Sequence, residues 1–262
     1  MANKYLARGD APFGSDVWDV LDNAMVQAAR QQLAGRRLLE VDGPFGLGLK
    51  AIPLQDAEEE EGIFTGTMLP LRWVHKPFEM SARDLAAYER DGLVLDVKPV
   101  AEAAIACAQA EDKVVFEGVA GENGLLTVEG AHKQALSAWD EMGQAAEDVI
   151  QAMTSLDGAG FHGPYALALA PQRYNLLFRR YPRGNQSELE HVQTMAAEGI
   201  FKAPILEDGG VLVATGRQYA SIVLGQDMSI AFIGPAGPKI EFAVTESLAV
   251  LIRRPQAICI LE

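Results

Sequence analysis

The feature that most constrains this chain is an apolar stripe between Asp96 and Gly118, in the run DVKPVAEAAIACAQAEDKVVFEG. Val97, Val100, Ala101, Ala104, Ile105, Ala108 and Val115 recur near i, i+3, i+4 and i+7, the period of an amphipathic helix. Glu102, Gln109, Asp112 and Lys113 fall mostly off that stripe. Pro99 lies in the first turn, where its missing N–H breaks no internal bond. Gly118 follows the last apolar residue, where a left-handed cap is favoured. Many stripe positions are alanine, so neighbouring backbone can approach closely. The pattern predicts a long, tightly packed central helix over 97–117, with no catalytic group on it.

Such a helix needs a core around it. The chain has 262 residues, 49% hydrophobic and 22% charged, enough for one large domain or two modest ones. No apolar run approaches the roughly 20 residues of a membrane helix. The opening MANKYLARGDAPFGSD lacks the apolar stretch of a signal peptide, so cytoplasmic residence is expected. A net charge of −14 disfavours nucleic acid as a partner, since phosphate binding needs Lys and Arg to displace counterions. Cys107 and Cys259 form no CxxC and have no neighbouring His, which points to two buried, reduced thiols.

Residues 1–14, with Gly9, Pro12 and Gly14, read as an irregular arm. Ser15 or Asp16 can cap a helix running to about Leu33. Val17, Trp18, Val20, Leu21, Ala24, Met25, Ala28 and Ala29 give it a wide apolar face. That face must be covered, by this chain or by something else. Gly35 is expected to end the helix, Leu38–Val41 to form a short strand, and Gly43-Pro44 to turn the chain. Gly43, Gly46 and Gly48 stand in the order G-x-x-G-x-G without a following Lys-Ser/Thr, so neither nucleotide fingerprint is met.

Residues 49–78 look like a projecting hairpin, with Ile52–Leu54 and Ile63–Leu71 extended about the acidic run Asp56–Gly62. Consecutive carboxylates cannot all turn inward on a cation, so the run reads as a solvated tip. A long exposed hairpin hints at assembly, because its edges invite pairing. Residues 78–92 read as a short helix capped by Ser81, with Asp84 three residues on, and stopped at Asp91-Gly92. The glycines of VAGENGLLTVEG mark a turn. His132–Leu156 is expected to be helical, with Trp139, Met142, Ala146, Val149, Ile150 and Met153 on one face. Tyr165–Ala170 reads as a buried strand, followed by a turn at Pro171 and a short helix toward Phe178. Residues 179–188 form a polar loop, LEHVQTMAAEG is helical, and β signals dominate after Pro204. Helices in the middle and antiparallel strands late predict an α+β fold.

The residues show no catalytic constellation. His75, His132, His162 and His191 lie far apart, with no HExxH or paired spacing. No G-x-S-x-G elbow occurs, and neither cysteine has a nucleophile's local motif. Asp227, Glu241 and Glu246 could pair as acid and base, but any acidic chain offers such pairs. The reading is a structural or binding protein, with no catalytic residue, metal ligand or cofactor-binding residue assigned.

Several blocks taken together resemble the encapsulin shell proteins, bacterial nanocompartment relatives of tailed-phage capsid proteins. The resemblance is carried by GRRLLEVDGPFG (Gly35 to Gly46), EDKVVFEG (Glu111 to Gly118) and Gly124-Leu125-Leu126. To these are added Gly163-Pro164-Tyr165-Ala166-Leu167, LGQDMSI (Leu224 to Ile230) and Val244-Thr245-Glu246-Ser247. Each block is weak alone; the set, in family order over almost the whole chain, is specific.

The resemblance implies a phage-capsid fold of the HK97 type with an N-terminal helix. Residues 1–48 would hold the arm, that helix and the first P-domain segment, and 49–78 the E-loop. The P-domain with its spine helix would take 79–130, the A-domain 131–220, and strands returning to the P-domain 221–262. The implied function is a self-assembling icosahedral shell around a cargo enzyme, a peroxidase or a ferritin-like iron-oxidising protein. Such cargo is held by a C-terminal targeting peptide in an apolar groove. By motif position Arg36, Glu40 and Ile230 match groove residues, with Glu40 where Asp is more familiar, and Trp18, Leu21 and Met25 supply the apolar face. The loop at the five-fold pore would be built from Arg180, Arg183, Gly184, Asn185 and Gln186. With Arg179, these arginines would either favour small anions or pair with neighbouring acids. Some members bind a flavin through a Trp in the helix before the spine; Arg83 stands at that position, so no flavin is expected. Trp73 is expected to pack in the core or along the E-loop. A phage or prophage major capsid protein shares the fold but implies DNA inside. A soluble enzyme of the protease or bacteriocin type implies activity without cargo.

Overall fold

The computed structural model describes residues 4–182 and 185–262. In chain order the elements begin with α1 (Ser15–Gln32), α2 (Gly35–Leu38), β1 (Glu40–Asp42), β2 (Ala51–Pro53), β3 (Ala57–Glu60), β4 (Ile63–Thr65) and β5 (Met68–Pro70). They continue with β6 (Arg72–Ser81), α3 (Ala82–Asp91), α4 (Lys98–Phe116), β7 (His132–Gln134), α5 (Gln144–Gly158), β8 (Tyr165–Leu169) and α6 (Pro171–Leu176). Last come α7 (Glu188–Met195), β9 (Gly199–Lys202), β10 (Gly210–Ala214), β11 (Ala220–Ala236), β12 (Lys239–Ile252) and β13 (Ile258–Leu261). Among the described residues no helix is long and apolar enough to cross a membrane. The chain forms two compact units.

The first unit comprises Met1–Leu33, Gly43–Glu111 and Leu224–Ala249. Its sheet runs β11-β12-β6, with β12 antiparallel to β6 over the register Lys239↔Ser81 to Leu248↔Arg72. Pro77 sits within β6 without cost because β6 is an edge strand. On this sheet Phe242 gathers an aromatic cluster. Phe78 stacks on it at 5.2 Å between ring centres, and Trp18 meets it edge-on at 5.9 Å. The N-terminal arm, expected to be irregular, makes two short 3-10 turns. It contributes Phe13 to the cluster and lays the Arg8 guanidinium 4.1 Å over Trp18. The apolar face of α1 is therefore covered by this chain: Val17, Trp18, Leu21, Met25 and Ala29 are buried.

The central helix forms as its periodicity requires, with Val100, Ala104, Cys107, Ala108 and Val115 each fully buried. The hairpin also forms, as β2 with β5 and β3 with β4, and its acidic strand β3 is exposed throughout. Ser81 caps α3 by accepting the Asp84 amide at 3.3 Å, and Gly92 ends it at φ +64°. Residues 78–80 belong to β6 and not to α3, because ladder pairing to β12 continues as far as Ser81. Of the two expectations for Trp73, the core or the E-loop, the core is excluded: the residue is 65% exposed, and its Nε1 donates to Thr245 Oγ1 at 2.6 Å.

The second unit comprises Ala34–Asp42, Asp112–Val223 and Val250–Glu262. Its five-stranded sheet runs β7-β13-β10-β8-β9, and β1 pairs in parallel with the start of β11. The core gathers Trp139, Leu167, Leu212, Val149, Leu156 and Cys259 between this sheet and helices α5 and α7. Helix over 132–156 is corrected here. His132–Gln134 pairs in parallel with β13, and α5 starts only at Gln144. Trp139 precedes the helix, fully buried at φ +59°, with its Nε1 donating to Asp148 Oδ2 at 2.7 Å. Ile150, expected on the apolar face, is 48% exposed. The assignment of 221–262 to one return segment is corrected too, since β13 pairs with β10 and β7 in the second unit's sheet.

Candidate docking site and polar loop

In the second unit, the segment Ala34–Asp42 is shaped by a buried carboxylate. Asp112 lies only 3% exposed, although the periodicity set it off the apolar stripe. Its Oδ2 accepts the Ala34 amide at 3.0 Å and its Oδ1 the Gly35 amide at 2.9 Å. These are orphan N–H groups at the start of α2, so Asp112 acts as a cap supplied from far along the chain. Gly35, expected to terminate a helix, opens one instead. A Cβ there would lie 3.0 Å from Val115 Cγ1, so the residue must be small for α2 to seat against α4.

The turn buries Leu38 and Leu39, half-buries Arg36 and exposes Arg37. Strand β1 follows, with Glu40 and Asp42 on one face because strand side chains alternate. Arg217 grips both. Its Nε donates to Glu40 Oε2 at 2.8 Å, its Nη1 lies 2.8 Å from Asp42 Oδ1, and its Nη2 reaches the Val41 carbonyl at 3.4 Å. The backbone beneath Arg217 is fixed: Arg253 Nη1 donates to the Arg217 carbonyl at 2.7 Å, and the Tyr219 carbonyl accepts the Arg253 and Arg254 amides. Beside β1 lies a cavity of about 560 Å³, lined by Arg36, Glu40, Pro164, Glu198, Thr215 and Gln218 among others. Its lining offers charge of either sign, with Arg36 and Arg37 set against Glu40 and Glu198.

The expected groove residues do not share one environment. Arg36 and Glu40 line this cavity, while Trp18, Leu21, Met25 and Ile230 are all under 9% exposed inside the first unit. Trp18, Leu21 and Met25, expected to supply an apolar face, and Ile230, expected in the groove, are thus buried within this chain, with Trp18 packed on Phe13 and Phe242. The sequence carried no signal for Arg217, which stands far from β1 along the chain in a glycine-containing loop.

In the polar loop, Arg180 and Ser187 form an isolated antiparallel bridge, and Arg180 Nη1 donates to Asn185 Oδ1 at 2.8 Å. The Gln186 carbonyl accepts the Tyr181 amide at 3.1 Å, and Arg183 and Gly184 lie outside the described residues. Arg179 is committed to structure. Its Nη2 donates to Glu188 Oε2 at 2.9 Å, and its Nη1 donates to the Trp139 carbonyl at 2.6 Å. Glu188 is fully buried, and its other oxygen accepts the Gly143 amide at 2.6 Å. Among the described residues no three His, Cys, Asp or Glu side chains gather as a metal site. Both cysteines are buried, and burial pushes the Cys259 thiol up to about 11.

A family model described as "Encapsulating protein for peroxidase" matches residues 3–249. The chain belongs to the encapsulin family. A curated encapsulin, the type 1 shell protein EncA of Myxococcus xanthus, is 31% identical over 98% of this chain and 96% of its own length. Among solved structures, the virus-like particle from Pyrococcus furiosus aligns with TM-score 0.76 at 23% identity, covering 94% of this chain and 99% of that one. The capsid of Myoviridae phage XM1 aligns at 0.60 and 12% identity, over 86% of this chain and 89% of that one. The encapsulin chain therefore has the phage-capsid fold that its sequence blocks implied.

Proposed function

We propose that this chain is the subunit of a closed shell that assembles from many copies of itself and encloses a cargo enzyme. The observation that carries the reading is the family match over residues 3–249, on a fold shared with phage capsids. The cargo is a peroxidase, as the family description suggests, or a ferritin-like iron-oxidising protein, and the shell itself carries out no turnover. The compartment stands in the cytoplasm. A charge of −14 favours protein over nucleic acid as its content.

Cargo docks by an extended C-terminal peptide laid along β1, with Arg36 and Glu40 as polar contacts in the adjoining cavity. Trp18, Leu21, Met25 and Ile230 supply the apolar wall of the groove, buried in the first unit until cargo docks. The loop with Arg180, Asn185 and Gln186 borders an opening in the shell that favours small anions; Arg183 and Gly184 are assigned to it by sequence position alone. Unchanged anion entry after R183A would remove Arg183 from that role.

The deciding experiment is electron microscopy of protein purified from its native host, with mass spectrometry of whatever copurifies. Uniform closed shells holding one dominant enzyme are expected. Shells filled with DNA would make the chain a phage capsid protein, and a small oligomer active without cargo would make it an enzyme.

A further inference from the structure

We infer that Arg217 is an internal occupant of the docking site, one that a cationic side chain of the arriving peptide must replace. The inference rests on the docking reading above and adds a rule for which peptides bind. Arg217 holds three acceptors offered by one short strand: the Glu40 and Asp42 carboxylates and the Val41 carbonyl. β1 lies at the end of its sheet, with one edge paired to β11 and, among the described residues, no strand on the other. The guanidinium therefore covers acceptors on the strand against which an added peptide would lie.

The base of this latch is rigid and its head is exposed. Arg253 and the Tyr219 turn pin the backbone, and Gly216 precedes Arg217 at φ +136°, a conformation that L side chains rarely adopt. The Arg217 side chain is 59% exposed, so its ion pairs are water-screened and replaceable. The Asp42 side chain is only 17% exposed with Arg217 in place, so a peptide that lifts the arginine without supplying a cation costs this carboxylate its ion pair. A neutral or acidic peptide has to displace the arginine and strand this carboxylate. A peptide bearing an arginine or lysine exchanges one cation for another. Arg217 thus makes the site selective for basic segments while lowering its affinity for all of them.

The test uses assembled particles of the full chain and three fluorescent ten-residue peptides. All share one leucine- and glycine-rich frame and carry two arginines, two glutamines or two glutamates. On wild-type particles the arginine peptide is expected to bind tightest. With R217Q its affinity rises about tenfold while that of the glutamate peptide falls. With E40Q/D42N the preference among the three disappears. R217K keeps the charge but loses the planar fork, and is expected to fall between wild type and R217Q. If R217Q does not assemble, R217K decides, with a gain of several-fold expected. Arginine-peptide binding that responds to E40Q/D42N but is unmoved by R217Q or R217K overturns the latch and leaves the docking site standing. Binding that none of these variants changes, or no binding by any peptide, overturns the docking site and the latch with it.

Discussion

Asp112 and Gly35, 77 positions apart, are joined by a hydrogen bond of 2.9 Å from the Gly35 amide to the buried Asp112 carboxylate. This contact starts the turn from which Arg36 and Glu40 project. Replacing Asp112 with Ala leaves two buried amides without that acceptor. Loss of about 1–3 kcal/mol is expected, read as a fall in unfolding midpoint, together with weaker capture of cargo peptide. D112N, which keeps an acceptor oxygen, is expected to lose less on both counts.

Arg179 and Glu188 brace the two ends of the polar loop, and Glu188 is fully buried. R179A strands that carboxylate, and breaking a buried pair from one side costs about 3–5 kcal/mol. The Tyr181 and Glu188 amides, bonded to the Gln186 and Arg179 carbonyls, are expected to exchange hydrogen much faster in this variant. Unchanged protection there would mean that the loop is held by other contacts.

The hairpin exposes Ile63, Phe64 and Met68, by 54%, 64% and 61%. Apolar side chains clustered in this way mark a contact surface. In a shell subunit they are expected to meet a neighbouring copy. F64E/M68E should abolish closed particles while leaving the helical circular-dichroism signal of the subunit intact.

Arg173 donates from Nε to Asp208 Oδ1 at 2.6 Å, and with the Gly209 amide it holds the Asp208 carboxyl below its ordinary value of 3.8. A carboxylate depressed in the folded state stabilises above its unfolded pKa and loses that effect as pH falls through the folded one. The wild-type advantage over D208N in thermal midpoint should therefore be complete at pH 5 and above. It should shrink below about pH 4 and vanish in stronger acid. The advantage is small, because Asp208 is largely exposed.

Cys107 and Cys259 are both fully buried, with the Cys259 thiol raised to about 11. Neither is expected to react with a thiol reagent at pH 8 in the native protein, and both should react in denaturant. Rapid native labelling of either would show that its cover opens.

Much of the fold was legible because it is written in local patterns. The alanine-rich stripe gave α4, the Ser81–Asp84 spacing gave the α3 cap, and the run of carboxylates marked the exposed hairpin strand. The errors share a cause. Residues 132–143 have helix-compatible composition, yet His132–Gln134 finds a strand partner in Cys259–Leu261, more than a hundred residues away. Trp139 looked like one position of a helical face, but the Asp148 carboxylate holds its indole before the helix begins.

The candidate site was legible only in part. Arg36 and Glu40 were reached by family motif, and both line the cavity. Trp18, Leu21, Met25 and Ile230 were also named, but apolar residues suited to a groove are equally suited to a core. Periodicity says that a face must be covered without saying by what.

By itself, the sequence determined the periodic helices, the local caps, the exposed acidic hairpin and the membership in a family of shell proteins. These follow from hydrogen bonds and apolar spacings within a few residues, or from motif blocks in a fixed order. Tertiary structure alone decided that Asp112 caps a distant turn, that β13 joins the second unit's sheet, and that Arg217 covers the carboxylates of β1. Each of those depends on backbone segments far apart in the chain meeting within about 3 Å. No local periodicity encodes such meetings, because their free energy comes from burial and pairing that exist only once the chain has closed on itself.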